Sequence, residues 1–254
     1  MADLRLFSYL PNPRLFKATI AARLTGVDLE IRGARPKELS QWLWDFDARP
    51  LSDDDRTHDE YERGARAGFS GTLFKTDEFL AANPFGTVPV AFSPDGQTGI
   101  FESNSMLRAV ARLGRSGPPL YGNDAYAASR IDSFLDVSLV FARDTQRYLF
   151  ALMGGGLTQE THSATQNALF TYLGGIETAL AANPGFLVGD EITCADICFV
   201  AELVLFALSR TESERIEEAG CTVIFGEHLA NDERANWRPA RRLEHERAAH
   251  RQRR

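Results

Sequence analysis

Two short stretches of this chain carry groups that could hold a small peptide. Val88-Pro89 opens a short apolar run, and a proline there cannot donate to a sheet ladder. A cis bond before Pro89 would leave the N–H and C=O of Val88 free to pair with an extended peptide-like ligand. Some fifteen residues on, a helix is predicted to begin at Glu102-Ser103, where Ser103 suits a carboxylate and Glu102 an ammonium group. Together these groups predict a site for a small zwitterionic peptide.

The elements that position these groups follow a recognisable order. Leu4–Tyr9 and Val27–Ile31 alternate as strands do, and residues 14–24 between them have helical spacing. A strand–helix–strand unit of this kind closes with parallel strands and a right-handed crossover. A β-hairpin that holds Val88-Pro89 follows, and then a helix from Ser103 to about Leu113. The order β-α-β, then β-β-α, predicts a thioredoxin-like α/β domain.

An insertion from about residue 35 to 72 separates the two halves of this predicted domain. It contains Trp42, Trp44 and the acidic run Ser52–Asp55. One interpretation is an acidic, mobile insertion or a short surface helix. The alternative is a lid over a substrate pocket, with the two tryptophans as an apolar wall. A short helix over Lys75–Ala82 is predicted to lead back into the hairpin.

Beyond a linker, the pattern is helical throughout. Arg115-Ser-Gly-Pro-Pro119 is the clearest linker in the sequence. Residues 124–150 are consistent with one long helix or two consecutive ones, and 158–182 carry an apolar stripe. The prediction is therefore an α/β thioredoxin-like domain, a linker and an all-helical C-terminal domain, with the bounds 1–113, 114–121 and 122–254.

A second diagnostic stretch marks the start of a helix in this later half. Thr193 is placed to cap the helix, and Asp196, three residues on, can return the hydrogen bond as in a capping box. Ile192 and Ile197 form the matching hydrophobic staple. The following run to Leu208 is apolar nearly all round, which predicts a central, buried helix.

In this order and spacing, the motifs resemble those of glutathione transferases. The resemblance rests on Glu78–Pro89, Phe101–Asn104 and Phe186–Ile197. Within that superfamily the nearest likeness is to the transferase-like part of elongation factor 1B gamma, through Tyr9–Ala22, and a group of bacterial and fungal transferases shares much of the pattern. The resemblance implies a cis-proline in a thioredoxin-like domain followed by a helical domain.

The resemblance also implies the ligand and its contacts. Glutathione would be the co-substrate, with no metal required. Val88, before a cis Pro89, would pair with its cysteinyl backbone, and Glu102 with Ser103 would hold its γ-glutamyl end. Lys75 is a candidate partner for the glycine carboxylate.

Conjugation requires a thiolate, which needs a donor or a positive charge near the sulfur. In glutathione transferases, the family that the motifs resemble, the group that donates to the sulfur lies just after the first strand. Here Arg14 falls nearest that position, Asn12 is two residues away, and Tyr9 is still on the strand. The alternatives are that Arg14 pairs with a surface carboxylate, Asn12 only shapes a turn, and Tyr9 points into the core. The loop has no cysteine, which argues against transferase types that form mixed disulfides.

The electrophile is expected between that loop and the first helix of the second domain. Phe141 and Tyr148 are candidates to line its hydrophobic pocket. Aromatic residues at helical spacing are equally consistent with an ordinary core.

Composition excludes several other classes of function. A net charge of -7 argues against a general nucleic-acid binder. No apolar run is long enough to span a bilayer, and the N-terminus lacks a signal peptide pattern. The three cysteines are too few for a disulfide framework, so a reducing, cytoplasmic location is predicted. The arginine-rich stretch 236–254 is interpreted as a frayed helix or tail, with binding of an acidic partner as the alternative.

Two functions from different classes remain open on the sequence. The first is a glutathione transferase that uses the glutathione thiolate to attack a small apolar electrophile, by conjugation or by ether or halide cleavage. The second is a non-catalytic interaction module of the elongation factor 1B gamma type. The resemblance also implies a homodimer, and neither nucleic acid nor membrane is an expected partner.

Overall fold

The described part of the chain, residues 2–65 and 69–227 of the computed structural model, contains eight strands, eight α-helices and five short 3-10 helices. The strands are β1 (Leu4–Tyr9), β2 (Leu29–Ala34), β3 (Trp42–Trp44), β4 (Arg49–Pro50), β5 (Glu62–Gly64), β6 (Thr72–Lys75), β7 (Val90–Phe92) and β8 (Gly99–Phe101). The helices are α1 (Phe16–Thr25), α2 (Asp77–Ala82), α3 (Ser103–Leu113), α4 (Ala125–Gly154), α5 (Gln159–Ala182), α6 (Cys194–Ala207), α7 (Ser213–Glu218) and α8 (Ile224–Glu227).

The first sheet has the strand order β2-β1-β7-β8. β1 pairs in parallel with β2, while β7 pairs antiparallel with both β1 and β8. α1 ends at Gly26, whose φ of 71° is a left-handed conformation that favours glycine. α1 then packs against α3. This is the predicted thioredoxin-like arrangement, and the later helices follow it as predicted.

The insertion forms a second sheet, with the order β4-β3-β6-β5. Trp44 on β3 is fully buried, and its ring contacts Phe7 of β1 edge-on at 5.5 Å between centroids and Phe79 of α2 at 6.0 Å. One hydrophobic core therefore contains residues of both sheets: Phe7, Leu39, Trp44, Ala48, Leu73, Phe79, Val90 and Phe92. The aromatic side chains of the segment therefore belong to the core beneath β1 rather than to a surface insertion, and its role as a lid stays a prediction.

Charged groups on the same segment are tied together as well. Asp55 is buried and accepts two hydrogen bonds from the Arg49 guanidinium and two from Ser52, through its N–H and its hydroxyl. The bonded guanidinium holds the pKa of the Asp55 carboxyl well below its usual range, and the Ser52 donors add to the effect. The acidic run therefore includes a structural carboxylate.

The predicted short helix before the hairpin begins later than expected. Lys75 is the last residue of β6, and α2 begins at Asp77. Thr76 caps α2, since its hydroxyl accepts the Phe79 N–H at 3.1 Å. The strand extends to Lys75 because it pairs with β3, a partner that the local pattern does not reveal.

Caps define the starts of the long helices. Asp124 accepts the N–H groups of Tyr126 and Ala127 at 2.8 Å, and α4 continues as one helix to Gly154. The Asp196 half of the predicted capping box is present: the Asp196 carboxylate accepts the Thr193 N–H at 2.8 Å and its hydroxyl at 2.9 Å, and Thr193 Oγ1 accepts the Ala195 N–H at 3.3 Å.

The predicted burial of α6 holds for only part of its surface. Val200 is 49% exposed and Val204 is 41% exposed, so one side of this helix faces outward. An apolar composition does not by itself reveal which side of a helix has neighbours.

The chain divides into two compact units. Among the described residues, the first unit comprises those of 2–131 and 192–201, and the second comprises 132–191 and 202–227. The first unit therefore runs past the predicted linker at 114–121, and the predicted domain bounds stay a prediction. The arginine-rich stretch 236–254 lies outside the described residues.

If the insertion belongs to the core, Trp44→Ala should lower the free energy of unfolding by about 3–5 kcal/mol, as large-to-small aromatic substitutions in cores do. Chemical denaturation would measure the loss. Asp53→Ala, at an exposed position of the same segment, is the matched control and should change stability by less than about 0.5 kcal/mol. A Trp44 variant as stable as this control would contradict the shared core.

Candidate functional site

The register of the first sheet brings the predicted binding groups to one end of it. On β7, Val90 lies opposite Phe7 of β1 and opposite Phe101 of β8. Continuing each antiparallel pairing outward places the end of β1, the Val88-Pro89 peptide and Glu102 beside one another. Groups far apart in the sequence therefore meet at a single sheet end.

The Val88-Pro89 peptide bond is cis. Two hydrogen bonds hold the turn before it: the Asn83 side chain donates to Thr87 O at 2.7 Å, and Gly86 N–H donates to Asn83 O at 2.8 Å. Within the described part of the chain, neither the N–H nor the C=O of Val88 is hydrogen-bonded. Both groups are thus available to an extended backbone.

Glu102 adopts an unusual backbone conformation at the start of α3. Its φ is 68° and its ψ is 127°, and it is the only non-glycine residue with positive φ in the described ranges 2–65 and 69–227. Its side chain is exposed. Such a conformation costs on the order of 1–3 kcal/mol and tends to persist at functional sites. Glu102 is therefore distinguished both by its backbone conformation and by the earlier prediction that its carboxylate binds an ammonium group.

Ser103, the first residue of α3, is buried beside Lys17, which the sequence analysis did not select as a site residue. Lys17 of α1 is fully buried, and its Nζ donates to Ser103 Oγ at 3.2 Å and to Asn104 Oδ1 at 2.6 Å. The only available signal was a lysine among small residues on α1. Neither Lys17 nor Asn104 was predicted as part of the site.

The loop after β1 places the three catalytic candidates differently. Asn12 is buried: its Oδ1 accepts Arg14 N–H at 3.0 Å, and its amide donates to Ser8 Oγ at 3.0 Å. Burial raises the pKa of the Tyr9 phenol above its ordinary value, and the nearby Arg14 charge lowers it in part. Tyr9 therefore stays protonated near neutral pH and can act as a hydrogen-bond donor close to Arg14.

Lys75 lies beside the turn that precedes Val88. It is buried, its Nζ donates to Gly86 O at 2.6 Å, and it lies 4.6 Å from the Trp44 ring centroid. Its assigned role toward a glycine carboxylate stays a prediction.

The two pocket candidates occupy the interior of the second compact unit. Phe141 stacks on Tyr172 at 4.7 Å between ring centroids, and Tyr148 stacks on Phe206 at 6.0 Å. Both are buried, Tyr148 completely. This packing favours the core interpretation, because a side chain enclosed by its own unit does not meet a ligand unless the core opens.

Neither a metal cluster nor a membrane-spanning helix is found in the described residues. Within 2–65 and 69–227, no group of three or more His, Cys, Asp or Glu side chains could hold a metal ion. None of the helices described there is long and apolar enough to cross a bilayer.

Sequence comparisons find relatives of two kinds, although no protein-family model matches the chain. It is 30% identical over 202 residues to elongation factor 1-gamma 1 of Oryza sativa subsp. japonica, and 30% identical over 210 residues to elongation factor 1-gamma of Rattus norvegicus. These alignments include 79% and 80% of the chain but only 40% and 39% of the relatives, so the chain spans about two fifths of their length. It is also 28% identical over 205 residues to the glutathione S-transferase-like protein FUS3 of Gibberella moniliformis, covering 78% of the chain and 75% of that protein.

Solved structures with the same fold are glutathione transferases. Human glutathione S-transferase T1-1 in its apo form matches 93% of the chain and 83% of its own, with a TM-score of 0.56 and 21% identity. A glutathione S-transferase of Methylobacterium radiotolerans in complex with glutathione sulfonate matches 95% of the chain and 90% of its own, with a TM-score of 0.57 and 18% identity. At these identities the likeness establishes the fold.

The interior position of Tyr148 gives a pH-dependent prediction. Its hydroxyl is buried, with no hydrogen-bond partner in the described residues, and burial raises the pKa of Tyr148 to about 12, with a smaller contribution from Cys221. The folded state holds this proton more tightly than the unfolded state, so the resulting stability is fully present below about pH 10 and is lost as pH rises toward 12.

Tyr148→Phe should therefore be at least as stable as the wild type at neutral pH, since it removes an unsatisfied buried hydroxyl. Between about pH 10 and 12 its advantage should grow by roughly 2–3 kcal/mol. Denaturation curves at several pH values would measure this, with the exposed Tyr126→Phe as control. A pH-independent difference between Tyr148→Phe and the wild type would rule out the proposed titration.

Proposed function

Since the chain has the fold of the glutathione transferases and a sequence similar to elongation factor 1-gamma, we propose that it binds glutathione and uses the thiolate to attack a small apolar electrophile. The reaction would be conjugation, or ether or halide cleavage. The observation that carries the proposal is the meeting of three features at one sheet end: the free backbone of Val88, the positive-φ Glu102 and the buried Ser103.

Each feature has a distinct task in the proposed complex. The N–H and C=O of Val88 pair with the cysteinyl backbone of glutathione, as an added strand does. The exposed Glu102 carboxylate pairs with the γ-glutamyl ammonium. The Ser103 hydroxyl and the first N–H groups of α3 donate hydrogen bonds to the adjacent carboxylate, because a helix N-terminus favours negative charge. Lys75, next to the Gly86 turn, pairs with the glycine carboxylate at the other end.

The thiolate would be stabilised from the loop after β1. Arg14 supplies positive charge, and Tyr9 supplies a phenol that remains protonated because burial raises its pKa. Both act as donors to the sulfur, which lowers the pKa of the thiol. Asn12 contributes indirectly, since its side chain holds the Arg14 backbone in place.

A second candidate function is a non-catalytic module that binds other proteins. It is favoured by the sequence similarity to elongation factor 1-gamma over most of the chain. It is also consistent with Asn12, whose side chain is used within its own turn. A homodimer is proposed on the resemblance, and a cytoplasmic location on the small number of cysteines.

Substitution of Glu102 tests whether its unusual backbone conformation is retained for ligand binding or for stability. Glycine accepts positive φ without strain, so Glu102→Gly should leave stability unchanged or raise it by about 1 kcal/mol. The same change removes the ammonium partner and should weaken glutathione binding at least tenfold by calorimetry. Glu102→Gln, which keeps an oxygen acceptor, is the matched control and should bind more tightly than Glu102→Gly. Unchanged affinity in the glycine variant would refute the assigned contact.

The pKa of bound glutathione distinguishes the enzyme from the module. In the enzyme, the thiol pKa should fall from about 8.5 to about 7, followed by the ultraviolet absorbance of the thiolate during a pH titration. Arg14→Ala and Tyr9→Phe should each raise it again, whereas Asn12→Ala should raise it least. Glutathione that binds with an unshifted thiol pKa would favour the non-catalytic module, and no binding at millimolar glutathione would exclude the proposed site.

A further inference from the structure

Lys17 is an unusual residue to find in a protein interior. Lysine is almost never fully buried unless its ammonium is hydrogen-bonded, because transfer of the charge from water is costly. Lys17 is 0% exposed, and its Nζ is directed at the first two residues of α3, Ser103 and Asn104. This helix start is the place where the proposed function seats a carboxylate.

The position of Lys17 is also notable electrostatically. The N-terminus of a helix carries a partial positive charge, so a cation there adds to the field rather than neutralising it. A buried positive group behind a helix start attracts an anion on the other side more strongly than the helix alone would. The combined field thus favours an anionic ligand group at α3.

Hydrogen-bond directions point the same way. An ammonium can only donate, so Ser103 Oγ must accept from Lys17, which directs the Ser103 hydroxyl proton away from the lysine. Asn104 Oδ1 accepts from Lys17 and from the Cys198 thiol, which lies at 3.4 Å. Lys17 therefore fixes the orientation of both polar side chains at the helix start, with Ser103 as a donor.

We propose that Lys17 is a positioning residue for the carboxylate at the γ-glutamyl end of glutathione, an inference that rests on the proposed function. Because it is fully buried, it does not touch the ligand. It acts through Ser103, whose hydroxyl it holds as a donor, and through the positive charge that it places beneath α3. The chemical group that it selects is a carboxylate rather than a neutral amide.

The test compares two ligands by calorimetry: glutathione, and an analogue in which the γ-glutamyl α-carboxylate is a primary carboxamide. The wild type should bind glutathione about tenfold more tightly than the analogue. In Lys17→Met, glutathione should bind about tenfold more weakly while the analogue changes less than twofold, so the preference disappears. A merely structural loss would weaken both ligands equally and keep their ratio.

Thr25→Val is the matched control. Thr25 is also buried on α1, and its hydroxyl donates to Ala21 O at 2.7 Å, within the same helix. This variant removes a buried hydrogen bond far from the start of α3, so both affinities should stay at their wild-type values.

A second variant keeps the test decisive if Lys17→Met does not fold. Ser103→Ala leaves Lys17 in place and should abolish most of the preference for the carboxylate, because Lys17 acts through this hydroxyl. A preference retained in Ser103→Ala, or in a folded Lys17→Met, overturns the assignment of Lys17 while glutathione binding stands. A wild type that binds neither ligand overturns the proposed function and this assignment with it.

Discussion

The pairing of β7 with its two neighbours is the constraint on which the candidate site depends. Val90 is fixed between Phe7 and Phe101, and this register sets which residues emerge at the end of the sheet. A slip of one residue would reverse every side chain on β7 and separate Val88 from Glu102. The core beneath the sheet resists such a slip, because Phe7, Val90 and Phe92 are all buried in one cluster.

The second sheet contributes to that core rather than to a surface. Trp44 brings β3 under β1, and Lys75 at the end of β6 reaches back to Gly86, in the turn before Val88. The insertion therefore supports the turn that precedes Val88. A long segment between two halves of a domain can be structural when its aromatic residues find a place in the shared interior.

The helix start at Ser103 concentrates polar groups in a setting where each needs a partner. Glu102 adopts a positive φ, Ser103 and Asn104 are buried, and Lys17 donates to both of the latter. Burying such a polar cluster costs free energy unless its groups are hydrogen-bonded to one another. When they are, the hydrogen bonds also fix the orientation of the side chains. The proposed role of this sheet end in binding an anionic group would account for that cost.

Short-range patterns in the sequence were enough for several features. Examples are the cap formed by Thr193 and Asp196 and the helix that begins at Ser103. These depend on residues within a few positions of one another, whose hydrogen bonds and periodicity the sequence states directly. Only the tertiary structure decided that Lys17 meets Ser103, 86 residues away, and that Trp44 packs on Phe7. Such contacts follow from how whole elements pack, and no local spacing encodes which of many apolar or charged side chains will face each other.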